Sequence, residues 1–178
     1  MINHIVRKNG WKESFGKNRL VESPRRNHVK KPLAWLPTLL WMAFIFSMSA
    51  ATGEESSAQS GLIVNLLAWA YGLVTGGAQP SPDWLDALSF LVRKCAHMTE
   101  YAVLALLCRY ALVKNGASRP GIKALCIAAL YACTDELHQA FVPDRGPSPV
   151  DVMIDTAGAF LGLVSGHVFS RIFPRSRS

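Results

Sequence analysis

The stretch Thr134-Asp-Glu-Leu-His-Gln-Ala-Phe-Val-Pro-Asp-Arg-Gly-Pro-Ser-Pro-Val-Asp-Val-Met-Ile-Asp155 decides how this chain folds. It joins two long apolar segments through a short turn rich in proline and glycine. Ionisable residues lie just inside the end of each segment, where a lipid bilayer disfavours them. Charged residues in a membrane span are rare, and they usually face the interior of a helix bundle or a water-filled cavity. The stretch therefore predicts a membrane-embedded hairpin that carries a polar functional site.

The composition around this hairpin also favours a membrane protein. Half of the residues are apolar and only 17% are charged. Residues 1–31 carry nine Lys/Arg and two Glu, whereas residues 32–178 carry ten residues of each sign. We therefore predict a basic, disordered cytoplasmic tail over residues 1–32 that contacts anionic lipid. Nucleic acid is not an expected partner, because the basic arm lacks interleaved aromatic residues.

The remaining apolar segments predict an all-α, polytopic membrane protein with four transmembrane helices. The predicted spans are residues 33–50, 91–113, 122–142 and 150–169, each long enough to cross the hydrocarbon layer. Residues 52–60 read as a polar loop, and residues 62–75 predict a short interfacial or re-entrant helix in the first outer loop. Residues 84–90 lead into the second span and are a possible beginning of it. Residues 33–172 thus form one four-helix membrane domain, followed by a basic cytoplasmic end, residues 173–178.

Lysine and arginine residues predict the orientation, because short cytoplasmic segments carry an excess of them. With the N-terminus inside, sixteen of these residues fall on the cytoplasmic side and three on the outer side. Both termini are then cytoplasmic, and the polar hairpin lies at the outer face.

With this topology, polar residues from three spans meet at the outer face. His97 and Glu100 are three residues apart on the second span, so they share one helical face. On the third span Asp135 and Gln139 are four residues apart, and on the fourth span so are Asp151 and Asp155, so each pair shares one helical face. Arg145 lies in the turn between these two spans. The residues that we expect to bind a ligand are Lys94, His97, Glu100, Asp135, Glu136, Gln139, Arg145, Ser148, Asp151 and Asp155.

A stripe on the fourth span connects this cluster to helix packing. Asp151 and Asp155 are followed on the same face by Gly158, Gly162 and Gly166. Glycine residues at this spacing allow a neighbouring helix to approach closely. The face that packs therefore also directs the two carboxyl groups into the bundle.

Three separated motifs resemble the VanZ family: Arg93-Lys-Cys-Ala-His-Met-Thr-Glu-Tyr-Ala-Val-Leu104, the segment Thr134–Arg145, and Asp151-Val-Met-Ile-Asp-Thr-Ala-Gly-Ala-Phe-Leu-Gly162. The resemblance covers about residues 33–172. It implies a bacterial cytoplasmic (inner) membrane protein of the cell envelope, linked to antibiotic resistance through reduced susceptibility to glycopeptides of the teicoplanin type. The positions that match the family pattern are Lys94, His97, Glu100, Tyr101, Asp135, Glu136, Gln139, Pro143, Arg145, Ser148, Asp151, Asp155, Gly158 and Gly162.

Four interpretations of the polar cluster follow. The first is binding of membrane lipids, a lipid-linked cell-wall precursor or a glycopeptide, with Arg145, Lys94 and Arg93 pairing with phosphate. The second is a hydrolase or transferase that acts on an envelope lipid. Its candidate catalytic residues are His97, Glu100, Asp135, Glu136, Asp151 and Asp155. The third is a metal site with His97 as the main ligand, but the chain lacks a strict metal-binding spacing, so we expect neither a metal nor a cofactor. The fourth is a structural role alone, in which the charges lock the helices together.

Overall fold

Five α-helices follow one another along the residues that the computed structural model describes, 31–143 and 145–172. A 3-10 turn, Lys31–Trp35, leads into α1 (Leu36–Ser49), which is followed by α2 (Gly53–Val74), α3 (Pro82–Lys114), α4 (Pro120–Gln139) and α5 (Pro149–Ile172). The described residues contain no β-strand, which confirms the all-α class. The predicted basic tail, apart from its last two residues, and the predicted C-terminal end lie outside the described residues.

The helix α2 differs most from its prediction. The predicted polar loop over residues 52–60 is wrong, because a capping box starts the helix at Gly53. Thr52 Oγ1 accepts a hydrogen bond from the Glu55 N–H at 3.2 Å, and Glu55 Oε2 accepts one from the Thr52 N–H at 2.9 Å. These bonds satisfy N–H groups that a helix start leaves unpaired. The helix therefore has 22 residues, a length of about 33 Å, and is not the short element that the apolar run alone indicates.

The helix α3 is the central element of the bundle and contacts each of the other helices. It begins at Pro82, before both the predicted span at residue 91 and its possible earlier beginning at Trp84, because Ser81 Oγ accepts the Trp84 N–H at 3.3 Å and caps the first turn. It has 33 residues and is about 50 Å long, which exceeds the thickness of a typical hydrocarbon core. By contrast, α4 ends at Gln139, three residues before its predicted end.

The helices α3 and α5 lie side by side and run in the same direction. Gly158 faces Met98, and Gly162, one turn later, faces Ala102. A Cβ atom at Gly158 would lie 2.6 Å from the Met98 Cα, and one at Gly162 would lie 2.7 Å from the Ala102 Cα. Because real Cβ atoms do not approach backbone so closely, both positions require glycine at this seam. Gly166 meets only the side chain of Leu106.

The helix α4 contributes small residues to the core. Ala124, Ala128 and Ala132 recur every fourth residue and are fully buried against Tyr101 and its neighbours. The same side of α4 continues into Asp135, Glu136 and Gln139, which are also buried. The interior of the bundle therefore changes from apolar to polar toward the end of α4.

The outer surface of the bundle is rich in large apolar side chains, which is the reverse of a water-soluble fold. Leu130, Phe160 and Phe169 are each more than half exposed, whereas Asp135 and Asp155 are 2% exposed. Two helical segments among the described residues, Lys31–Ser49 and Pro149–Ile172, are long and apolar enough to cross a membrane. This distribution favours a protein surrounded by lipid.

Candidate functional site

Polar side chains from five helices and one turn converge at one end of the bundle. They come from the end of α1, the start of α2, the middle of α3, the end of α4, the start of α5 and the turn between α4 and α5. The residues predicted from the sequence divide into two layers here. One set lines cavities and comprises Lys94, His97, Glu100, Gln139, Arg145 and Asp151. The other set, Asp135, Glu136, Asp155 and Ser148, lies behind or beside these cavities and does not line them.

Two cavities adjoin at this end of the bundle. The first has a volume of about 190 Å³ and is lined by Ser56, Phe90, Arg93, Lys94, His97, Gln139, Arg145, Gly146 and Asp151. The second has a volume of about 180 Å³ and is lined by Met48, Ser56, Gln59, Ser60, Ile63, Val92, Arg93, Ala96, His97, Glu100 and Arg145. They share the side chains of Ser56, Arg93, His97 and Arg145, which therefore form a common wall.

An ion pair between Lys94 and Asp151 forms one side of the first cavity and joins α3 to α5. Both side chains are about one-fifth to one-quarter exposed, so the pair is partly open to the cavity. The Lys94 ammonium also lies 5.1 Å from the ring centroid of Phe90, which is within the range of a cation–π contact. Lys94 therefore both joins α3 to α5 through Asp151 and contributes positive charge to the first cavity.

Arg145 stands in the turn between α4 and α5 and lines both cavities. It is half-buried, and it is close enough to His97 and Glu100 to interact with them electrostatically. Within residues 31–143 and 145–172, its side chain forms no ion pair. Its guanidinium therefore presents positive charge to whatever occupies the cavities.

His97 and Glu100 lie together on α3, as their spacing predicts. The distance from His97 Nδ1 to Glu100 Oε2 is 3.6 Å, which is longer than a hydrogen bond. His97 Nδ1 is buried and has no hydrogen-bond partner among residues 31–143 and 145–172. His97 thus offers an unused polar atom beside the cavities, next to a carboxyl group.

A second, fully buried layer lies behind the cavities. Gln139 Nε2 donates to Ser49 Oγ at 2.7 Å and to Asp135 Oδ2 at 3.3 Å. The Tyr101 hydroxyl and the Asp135 carboxyl group are both buried and lie close enough to interact directly. Asp155 on α5 belongs to the same layer, since it interacts with both of them. The sequence marked Tyr101 only as a position of the family pattern, not as part of the site.

Glu136 holds the turn that carries Arg145. Its Oε2 accepts a hydrogen bond from the backbone N–H of Ser148 at 2.8 Å and so joins the end of α4 to the start of α5. The Ser148 side chain accepts the Asp151 N–H at 3.3 Å and caps the first turn of α5. Both residues therefore position the turn and the carboxyl group of Asp151, and neither lines a cavity.

We expect Glu136→Leu to lower the free energy of unfolding by about 1–3 kcal/mol, because the Ser148 N–H loses its acceptor in a partly buried place. Glu136→Gln keeps an acceptor oxygen at the same position and is the matched control, so it should lose clearly less. Thermal unfolding of the purified protein in detergent measures the difference. Equal losses for the two variants would show that the charge, and not the hydrogen bond, matters.

The geometry also bears on the metal interpretation and on His138, a further polar residue near the end of α4. His138 stacks on Phe46 with ring centroids 4.1 Å apart, so it contributes to the contact between α1 and α4. Among the described residues, no three His, Cys, Asp or Glu side chains are arranged to hold a metal ion.

One wall of the second cavity comes from α2 and was not fully predicted. Ser56, Gln59, Ser60 and Ile63 recur at helical spacing and line this cavity. The sequence analysis placed Ser56, Gln59 and Ser60 in a polar loop and Ile63 in a short interfacial helix, and it assigned none of the four to the site. The signal that would have found them is the Thr52–Glu55 capping box, which extends the helix back over this segment.

A comparison with known protein families identifies the family of this chain. Residues 34–170 match the VanZ/LLP1 family, so the chain belongs to this family. No curated protein and no solved structure matches the chain.

Proposed function

We propose that this VanZ-like protein crosses the bacterial inner membrane four times and binds the phosphorylated headgroup of a cell-envelope lipid or lipid-linked precursor at its outer face. The observation that carries the proposal is the distribution of positive charge. Residues 36–108 and 124–170 contain only three Lys/Arg residues, Arg93, Lys94 and Arg145. All three line the first cavity. Such a concentration of charge in one cavity suits an anionic ligand.

The helix directions support the proposed topology. If α4 returns across the membrane between α3 and α5, these two helices must run in the same direction, and the glycine seam has this parallel arrangement. The cluster then lies opposite the side that carries most Lys/Arg residues, which is the cytoplasmic side by the positive-inside rule. Both termini are cytoplasmic in this proposal.

The chemistry of the cavity walls suits a phosphate group joined to a polar headgroup. Arginine can form two parallel hydrogen bonds to phosphate, and Arg145 has no ion pair that would compete among the described residues. Asp151 and Glu100 supply acceptors for hydroxyl or amine groups of a headgroup. Because glycopeptides act on cell-wall precursors outside the membrane, occupancy of this site would affect teicoplanin-type susceptibility.

A second candidate function is hydrolysis or transfer on an envelope lipid. The observation that favours it is the pairing of His97 with Glu100 beside the cavities, where they could serve as a base and its orienting group. Incubation of the purified protein with labelled envelope lipids separates the two functions. Product formation supports the enzyme, and retention without turnover supports the binding protein.

We expect lipid that co-purifies with the protein to be lost from Arg145→Gln by about ten- to a hundredfold, as for a charge-assisted hydrogen bond worth about 1.5–3 kcal/mol. Mass spectrometry of the extracted lipids measures this loss and identifies the headgroup. The matched control is Arg109→Gln, which removes a partly buried arginine from the far end of α3 and should retain the lipid. Equal lipid content in Arg145→Gln and the unmodified protein would contradict the proposal.

A further inference from the structure

We infer that the ligand is an amphiphilic phosphodiester that occupies both cavities at once. Its phosphate would lie at the common wall, its polar substituent in the first cavity, and the beginning of its apolar chain in the second. This inference rests on the proposed function and narrows the ligand to one chemical class.

The common wall is the natural place for the phosphate. Arg145, Arg93 and His97 belong to both cavities, so a group held by these side chains can extend to either side of them. Lys94 already pairs with Asp151, whereas Arg145 forms no ion pair among the described residues. A phosphate at this wall therefore has positive charge beside it and a cavity on each side.

The two cavities differ in the chemistry of their remaining walls. Beyond the common wall, the first cavity adds three polar or charged side chains, Lys94, Gln139 and Asp151, and one large apolar side chain, Phe90. The second adds four apolar side chains, Met48, Ile63, Val92 and Ala96, beside a few polar ones. A molecule with a polar group on one side of its phosphate and a hydrocarbon chain on the other matches this difference.

The second cavity also reaches the apolar outer surface of the bundle. Ile63 lines this cavity and is nevertheless 48% exposed. Its neighbour Leu62 is 81% exposed on the outer face of α2. A hydrocarbon chain that leaves the cavity past Ile63, between α2 and the end of α1, would continue directly into the surrounding lipid.

The two-sided arrangement favours a phosphodiester over a phosphate monoester. A monoester with a chain has nothing to place in the first cavity, and a headgroup phosphate without a chain leaves the second cavity to water. Each cavity has the volume of only a few water molecules, at about 30 Å³ per water, so each holds a small headgroup or the first methylenes of a chain. Filling both requires substituents on both sides of the phosphorus atom.

The experiment uses three probes: dodecylphosphoglycerol, in which a phosphodiester joins a dodecyl chain to glycerol, dodecyl phosphate, and glycerol phosphate. They are titrated against the full chain in a maltoside detergent, and native mass spectrometry counts the bound molecules. We expect dodecylphosphoglycerol to bind at least about tenfold more tightly than glycerol phosphate, because burial of two methylenes alone is worth about that factor. It should also bind more tightly than dodecyl phosphate, because only the diester places a polar group in the first cavity beside Lys94, Gln139 and Asp151.

Ile63→Trp tests the chain site, because the larger side chain fills the second cavity. We expect it to weaken binding of dodecylphosphoglycerol and dodecyl phosphate about tenfold and to leave glycerol phosphate binding unchanged. Leu62→Trp, on the exposed face of the same helix, is the matched control and should bind all three probes normally. Unchanged binding of the chain-bearing probes to Ile63→Trp, or equal affinity of the unmodified protein for all three probes, would overturn the inference alone. If the unmodified protein binds none of the three, the proposed function fails as well.

Discussion

Gly158→Val is expected to lower the free energy of unfolding strongly, by about 3 kcal/mol or more, because it overpacks the contact between α3 and α5. The reason is that the added Cβ would meet backbone atoms of Met98, including its Cα at 2.6 Å, and backbone cannot move aside as a side chain can. The helices α3 and α5 would have to separate along their whole contact. We expect the variant to fail to accumulate in membranes, or to unfold at a much lower temperature, as measured by immunoblot and thermal unfolding in detergent.

Gly166→Ala is the matched control on the same face of α5. Its Cβ meets only Cδ2 of Leu106, at 2.7 Å, which is the end of a flexible side chain. The loss should therefore be small, below about 1 kcal/mol, because a rotamer change can relieve the contact. Normal accumulation and stability of Gly158→Val would show that α3 and α5 are not held as closely as this seam requires.

The helical segments and the close contact at Gly158 and Gly162 can be predicted from local sequence patterns. Glycine residues at four-residue spacing beside apolar residues indicate close helix packing, and an apolar run with basic flanks indicates a span. The start of α2 was missed because polar residues hid a helical segment, although its capping box was present in the sequence at Thr52 and Glu55. The early start of α3 was only partly predicted, as a possible beginning at Trp84, although Ser81 and Pro82 mark a helix start and not only a break.

The layered organisation of the site could not be predicted from spacing. Periodicity places Asp135 and Asp155 on inward faces, but it does not show whether an inward side chain reaches a cavity or ends in the packed interior. That depends on the depth at which each helix crosses its neighbours. Tyr101 and Ala132 fill the interior beneath the cavities, so the deeper acids are enclosed, whereas Glu100, one residue from Tyr101, still reaches the second cavity. Pairing partners such as Lys94 and Asp151 likewise depend on the offset between two parallel helices.

Two residues of α4, Gln139 and Glu136, connect the buried layer to the cavities. Gln139 lines the first cavity and also bonds Ser49 and Asp135 in the buried layer. Glu136 fixes the turn that carries Arg145. Removal of a buried acid is therefore expected to act on ligand binding through position, whereas removal of a cavity cation acts on it directly. A test of the site must separate these two effects.

The charge reversal Lys94→Glu has the largest expected effect on binding. It changes the first cavity by two charges and places two carboxyl groups across the contact between α3 and α5, where like charges repel strongly. We expect the retained lipid to fall by about a hundredfold, equivalent to about 2.8 kcal/mol, together with a lower unfolding temperature. Lipid content by mass spectrometry and thermal unfolding are measured on the same preparation.

The exchange variant, Lys94→Glu combined with Asp151→Lys, is the control that restores the ion pair with its charges reversed. It restores opposite charges between the two helices and the net charge of the cavity, so the unfolding temperature should largely recover. Most of the lipid should return as well, although recovery will be incomplete because a cation in the first turn of α5 opposes the helix dipole. If Lys94 served only to hold α5, Lys94→Gln would lower the unfolding temperature and still retain its lipid. Full lipid retention in a folded Lys94→Glu variant would likewise exclude the cavity as the place where an anionic headgroup binds.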